Sequence, residues 1–240
     1  MNPRPDAVFF DAGDTLIHVR CSVGHIYAEA AAAYGVHAEP MHLDAAFRRI
    51  WETRRTNPGQ ALPLEADDNT DHTWWREVVL ETFEAVGHGA AFGKRFDGFF
   101  AYLHGLFGTP APWVIYPDTV PCLRALSRAG LRLAIVSNWD TRLPRLLEGL
   151  GLAKWFEVIM PSALARCAKP DPDIFRQVLT QMGLEPGQAL HIGDREEDDV
   201  AGAIAAGVSP VLLDRAAKAV PTNACVQVHD LDEFARLLLP

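Results

Sequence analysis

Three apolar runs in this chain end on residues able to handle charge. Ala7-Val8-Phe9-Phe10 ends at Asp11, Leu131 to Val136 ends at Ser137-Asn138, and Ala189 to Ile192 ends at Gly193-Asp194. Short apolar runs of this kind read as buried strands, which puts the polar residues at strand carboxyl ends. Lys169-Pro170 stands just before Asp171, a helix-capping residue type, with Pro172 at the first helical position. The chemistry open to such a set is definite. Asp11 and Asp194 offer the oxygen ligands that Mg²⁺ prefers. A free carboxylate such as Asp11 can attack phosphorus to give an aspartyl phosphate. The Ser137 hydroxyl and nearby backbone N–H groups can bind phosphoryl oxygens, and Lys169 can neutralise the charge spread over them. Asp198 and Asp199, one turn after Asp194, can hold Lys169 or a metal-bound water.

Each piece also has an ordinary reading. An aspartate or a Ser-Asn pair at a strand end is commonly a turn, and a lysine is commonly solvated. The run from Asp194 to Asp199 resembles the acidic first turn favoured by a helix dipole. Their order and placement together are more specific than any one of them. Gly13, two residues past Asp11, lets the backbone turn sharply or approach a ligand closely.

The elements that must position these residues fall into two blocks. From residue 113 onward strands alternate with helices. Asp118 can cap a helix to Ala129; Asp140 to Leu150 and Glu197 to Ala206 read as helices ended by glycine, and Leu231 to Leu239 as a closing helix. Phe156 to Met160, Val211 to Leu213 and Cys225 to Val228 are further strand candidates. Such alternation implies a parallel sheet covered on both faces. Between the first strand and this region lie amphipathic helices over Gly24 to Tyr34, Leu43 to Thr53, Thr73 to Ala85 and Phe92 to Leu106. The expected architecture is therefore α/β, a Rossmann-like core from residues 1–17 and 113–240 with a helical insertion over 18–112. The insertion is expected over the carboxyl edge of the sheet, where open α/β folds bind ligands. Residues 56–70, rich in proline, glycine and aspartate, are a candidate lid or an exposed connection.

Composition narrows the function classes. A 240-residue chain with 49% hydrophobic residues suits one medium core plus an insertion. The net charge of -9 argues against a nucleic-acid surface. No apolar run is long enough to span a bilayer, and Met1 to Asp6 lacks the apolar segment of a secretory signal. Cys21, Cys122, Cys167 and Cys225 lie far apart without a CxxC pair, which fits free thiols in a reducing cytoplasm rather than a thiolate metal cluster. The expected partner is a small phosphorylated molecule, with neither nucleic acid nor membrane.

The chain resembles the haloacid dehalogenase-like (HAD) hydrolase superfamily over nearly its whole length. Four motifs carry the resemblance: Phe9 to Leu16; Ile135-Val136-Ser137-Asn138; Lys169-Pro170-Asp171-Pro172-Asp173-Ile174-Phe175; and His191-Ile192-Gly193-Asp194 through Ala203. The insertion matches the family's α-helical cap, and the chain is similar in appearance to the HAD-like hydrolase domain-containing protein 3 group. The resemblance implies that Asp11 is the nucleophile and a Mg²⁺ ligand, with the carbonyl of Gly13 and Asp194 as further ligands. It implies phosphoryl binding by Ser137 and Asn138, charge stabilisation by Lys169, and Asp199 with Asp198 completing the acidic shell.

One departure bears on activity. Phosphatases of the superfamily carry a second aspartate two residues after the nucleophile, which protonates the leaving group. Gly13 stands there. Loss of a general acid commonly costs about a hundred- to ten-thousand-fold in rate. Asp14 is next in line, but one step along a strand turns a side chain to the opposite face, unless the turn has already begun there. His25 and His72 of the helical block read as surface histidines. A haloacid dehalogenase also lacks the second aspartate, because a halide leaves without a proton, yet dehalogenases of the family have Ser-Asn where this chain has Gly193-Asp194. A third reading is a HAD-fold binding or regulatory protein without turnover.

Overall fold

The computed structural model describes residues 4–57, 63–64, 68–217 and 225–239. Its contacts divide the chain into Met1–His18 with Ile115–Pro240, and Val19–Val114. Strand β1 (Ala7–Phe10) leads through a tight turn to β2 (Ile17–Val19). Helices α1 (Val23–Ala32), α2 (Pro40–Thr56), α3 (Asp68–Ala85) and α4 (Phe96–Phe107) follow, and the chain returns through β3 (Trp113–Ile115), which pairs with β2. Then come α5 (Thr119–Arg128), β4 (Arg132–Ser137), α6 (Leu143–Gly149), β5 (Val158–Pro161), the short α7 (Ser162–Ala165) and α8 (Asp173–Met182). The chain closes with β6 (Ala189–Gly193), α9 (Ala201–Ala206), β7 (Ser209–Leu213), β8 (Val226–Val228) and α10 (Leu231–Leu238).

The α/β unit is built on a six-stranded sheet in the order β5-β4-β1-β6-β7-β8, parallel at every pairing. Strand β1 lies at its centre, with Phe10 opposite Ile135 on one side and Ile192 on the other. All four of its residues are buried, which is why it reads as an unbroken apolar run. Alternate residues serve opposite faces. Ala7 and Phe9 join the cluster of Ile174, Phe175, Val178 and Leu179 on α8, while Phe10 meets Phe156 and Phe234 edge to face. The chain leaves β1 and later fills both flanks, so the strand order reverses there. That is the crevice where open α/β sheets bind ligands.

Helix α8 shows which forces set the elements. Asp171, one residue ahead of the N-cap Pro172, accepts the Asp173 N–H on Oδ1 at 2.9 Å, a cap-like contact worth about 1 kcal/mol. Five apolar side chains, Ile174, Phe175, Val178, Leu179 and Met182, are buried along one face, each worth about 1.5–3 kcal/mol. The apolar face therefore outweighs the cap. Asp118 departs from expectation. It precedes α5 in a helical conformation and makes no side-chain cap; instead its carboxylate pairs with Arg215 at 2.9 Å and accepts the Leu231 N–H at 2.8 Å. The expected helix from Glu197 also begins differently, as a wide π turn over Glu196–Val200 ahead of α9.

The helical unit has its own core. Tyr27 of α1, Phe83 of α3 and Phe99 and Phe100 of α4 are buried with Leu43 of α2. Helices α1 and α2 approach so closely that a Cβ on Gly24 would fall 2.3 Å from the Pro40 carbonyl. Within this unit His25 is exposed, whereas His72 is half-buried against Phe100 and His104 with ring centroids at 4.7 and 5.0 Å. Most of the 56–70 segment lies outside the described residues. Among the described residues no helix is long and apolar enough to cross a membrane.

Candidate active site

Strand β1 continues its pairing one residue past Phe10, because the Asp11 N–H donates to the Ile192 carbonyl at 3.0 Å. The Asp11 carboxylate is thereby held at the carboxyl edge of the sheet. Two donors converge on its Oδ1: the Ser137 hydroxyl at 2.9 Å and Lys169 Nζ at 2.7 Å. The ammonium also donates to Asp199 Oδ1 at 2.5 Å. Lys169 is buried, and burial alone would depress its pKa; the carboxylates of Asp11 and Asp199 outweigh that and hold it above the ordinary lysine value. Asn138 does not stand free beside this group. Its amide donates to the Lys169 carbonyl and accepts the Lys169 N–H, both at 2.8 Å, so it clamps the lysine's backbone.

Asp199 is gripped on several sides. Oδ1 also meets His191 Nε2 at 2.8 Å, and Oδ2 accepts the Arg195 N–H at 3.0 Å. Burial would raise its pKa, but Lys169 and His191 reverse this and hold the carboxyl well below the usual range. Its carboxylate lies directly on the backbone of Gly193, where an added Cβ would fall 2.1 Å from Asp199 Cγ. Glycine at 193 is therefore a packing requirement. Asp198, equally an expected member of the acidic shell, is buried and paired with Arg195 Nε at 3.2 Å.

Asp194 stands half-buried at the end of β6. Burial pushes its carboxyl up to about 8, reinforced by Asp11, Asp199 and Asp14. One oxygen from each of Asp11, Asp194 and Asp199 lies within 4.8 Å of the others. The oxygens of Asp199 are engaged by Lys169, His191 and the Arg195 N–H, which leaves Asp11 and Asp194 as the carboxylates fitted to a cation. Crowded carboxylates and an all-oxygen donor set suit a hard divalent ion such as Mg²⁺.

Gly13 and Asp14 form the turn beyond Asp11. The Asp14 N–H donates to the Ile17 carbonyl at 2.7 Å and its φ is +53°, so the strand alternation has already ended there. Asp14 is more than a third exposed, yet protein surroundings and the Asp11 charge push its carboxyl above the ordinary range, against His18, Arg195 and Arg215. A Cβ on Gly13 would come 3.2 Å from Trp139 Cζ3. The Trp139 backbone is itself pinned, its N–H to Ser162 Oγ at 3.1 Å and its carbonyl by the Ala163 N–H at 3.2 Å. The structure thus brings Asp11, Ser137, Lys169, Asp194 and Asp199 together and adds His191 and Trp139. A histidine inside the apolar run before Gly193-Asp194 was a visible sign of the former; nothing local marked the latter.

Comparison with known proteins shows the family. The family profile of haloacid dehalogenase-like hydrolases matches residues 5–207. A Mus musculus relative, haloacid dehalogenase-like hydrolase domain-containing protein 3, is 36% identical over 205 residues, covering 85% of this chain and 80% of its own. A phosphoserine phosphatase from Thermus thermophilus is 37% identical over 122 residues, 50% of this chain and 49% of that protein. Among solved structures, L-2-haloacid dehalogenase from Xanthobacter autotrophicus superposes with a TM-score of 0.73 at 22% identity, covering 98% of each chain; at that identity the likeness speaks to the fold. With the profile spanning most of its length and a relative of this similarity, the chain belongs to the haloacid dehalogenase-like hydrolase family.

Proposed function

We propose that this hydrolase is a Mg²⁺-dependent phosphohydrolase that acts on a small phosphorylated substrate through an aspartyl phosphate at Asp11. The observation that carries the reading is the Lys169 ammonium set between Asp11 and Asp199, with Ser137 on the same Asp11 oxygen. Asp11 Oδ1 accepts from both of these donors, which orient the carboxylate for attack. An Asp11 oxygen forms a bond to phosphorus as the bond to the leaving oxygen breaks. Water then attacks phosphorus, the Asp11–phosphorus bond breaks, and the carboxylate returns with inorganic phosphate. Lys169 and the Ser137 hydroxyl stabilise charge on the phosphoryl oxygens as it shifts. Asn138 contributes by fixing the backbone from which Lys169 projects. Mg²⁺ bound by Asp11, Asp194 and the Gly13 carbonyl would offset the repulsion between an anionic nucleophile and an anionic phosphoryl group.

Gly13 has no proton to give the leaving group. The reading therefore favours acyl phosphates and other esters whose leaving groups depart with little protonation. The likeness of half the chain to a phosphoserine phosphatase supports phosphoryl chemistry. Dehalogenation is the second reading, favoured by Gly13 and opposed by the acidic Asp194 after Gly193. The test is phosphate release with Mg²⁺ from p-nitrophenyl phosphate, acyl phosphates and a panel of metabolite phosphomonoesters, with Asp11→Asn alongside. Release from activated substrates that Asp11→Asn abolishes is expected. Wild-type release by Asp11→Asn overturns the assignment. No release at all, with halide freed from chloroacetate, would favour the second reading, and ligand binding without any turnover a regulatory role.

A further inference from the structure

We propose that His191 is a positioning residue of this site: its ring Nε2–H holds the Asp199 carboxylate in the orientation from which Asp199 grips Lys169, and so sets the ammonium against Asp11. In its kinetic arm the inference rests on the phosphoryl-transfer reading. His191 is fully buried in β6, beside the central strand β1 and on the face turned toward α8, where Phe175 meets its ring edge to face at 4.9 Å. Apart from Asp199 and the lysine that shares its oxygen, the ring's neighbours include the apolar cluster of Ala189 and Phe175. A polar ring in such surroundings is unfavourable unless its polar atoms are used.

Only one of them is. Nε2 lies 2.8 Å from Asp199 Oδ1, whereas Nδ1 is buried and has no hydrogen-bond partner among the described residues. An ionised carboxylate only accepts, so Nε2 is the donor, and a neutral ring then leaves Nδ1 as a bare acceptor. A side chain present merely to fill space would leave no such orphan; leucine or methionine would suit the face better. The Nε2–H is what the ring contributes. It reaches the same oxygen that accepts from Lys169 Nζ at 2.5 Å. The other constraints act elsewhere on Asp199: the Arg195 N–H holds Oδ2, and the backbone of Gly193 blocks the carboxylate from behind. His191 therefore fixes the side of Asp199 that faces the lysine. Partners that orient a reactive cluster from outside it commonly matter by about ten- to hundredfold in activity.

The experiment compares the full-length protein with His191→Leu, His191→Met and His191→Gln. The two apolar variants remove the donor, and either serves should the other fail to fold; glutamine returns an N–H of similar reach. Expected is a fall in kcat of about tenfold or more in the apolar variants, with KM for the phosphorylated substrate within about twofold, and recovery of most of the loss by His191→Gln. Wild-type kcat in a folded apolar variant, or His191→Gln as slow as His191→Leu, overturns the inference. Should the wild-type protein release no phosphate, the functional reading fails alone, and crystal structures of the variants decide. Loss of the Lys169–Asp199 contact in the apolar variants and its retention in His191→Gln supports the positioning role; the contact kept in all of them overturns it.

Discussion

Restoring the missing carboxylate with Gly13→Asp is the perturbation most closely tied to the chemistry, and the structure predicts that it works poorly alone. A general acid contributes about a hundred- to ten-thousand-fold in rate where protonation of the leaving group is limiting. Position 13, however, is not open space. Its Cβ would stand 3.2 Å from Trp139 Cζ3, closer than carbon atoms ordinarily pack, and the carboxylate extends beyond that atom. The Trp139 backbone cannot retreat, being held by Ser162 and Ala163. Only the indole can move. Overpacking of this kind costs about 1–3 kcal/mol, and if the variant relieves it by turning the new carboxylate aside, about ten- to hundredfold of the gain is lost. Gly13→Asp with Trp139→Ala should therefore exceed Gly13→Asp by that factor. The assay is kcat with Mg²⁺ on an ordinary alkyl phosphomonoester, where departure of an unprotonated alkoxide is hardest, with Trp139→Ala as control. A folded double variant no faster than Gly13→Asp would refute the packing argument, and neither exceeding the wild type would refute the missing-acid argument.

Two further outcomes follow from the same geometry. Gly193→Ala forces its new methyl into the Asp199 carboxyl and breaks the buried contacts with Lys169 and His191; a loss of about 3–5 kcal/mol in denaturant unfolding is expected, and near wild-type stability would contradict the packing. The second concerns pH. Asp194 is raised by burial and by neighbouring carboxylates to about 8 from 3.8, so between those values the folded state holds the extra proton and stability falls as pH rises. His191, lowered from 6.5 by burial, acts oppositely on the acid side, since the unfolded ring protonates there and stability rises toward that value. Above about pH 7 the carboxylate cost stands without that counterweight. Mg²⁺ should relieve it, giving a larger rise in Tm at about pH 8 than at about pH 6, and Asp194→Asn should remove the difference. An equal rise at both pH values would count against Asp194 as a ligand.

Much of the α/β unit could be read from residue order because its strands are short, apolar and bounded by polar residues. Strand β1 with Asp11, β6 with Gly193-Asp194 and the buried face of α8 are set by local pattern and needed no tertiary information. What escaped depended on contacts between segments remote in the chain. Asp118 had the look of a cap, but its carboxylate is drawn to Arg215 and to the start of α10. Asn138 had the look of a phosphate ligand, and its amide is used on the Lys169 backbone. Period-two reasoning put Asp14 on the far face unless the turn had begun, and only the left-handed backbone at that residue decides for the turn. The space beside Gly13 is filled by Trp139, which no periodicity in either motif could reveal.

The central claim is a covalent bond between phosphorus and Asp11, and the most direct measurement is to trap it. The protein with Mg²⁺ would be mixed with an acyl phosphate, quenched with borohydride during turnover, digested and examined by mass spectrometry. Reduction of an aspartyl phosphate yields homoserine; this change is expected at Asp11 and should disappear in Asp11→Asn. Turnover with Asp11 unmodified, or with the label on another residue, would contradict it.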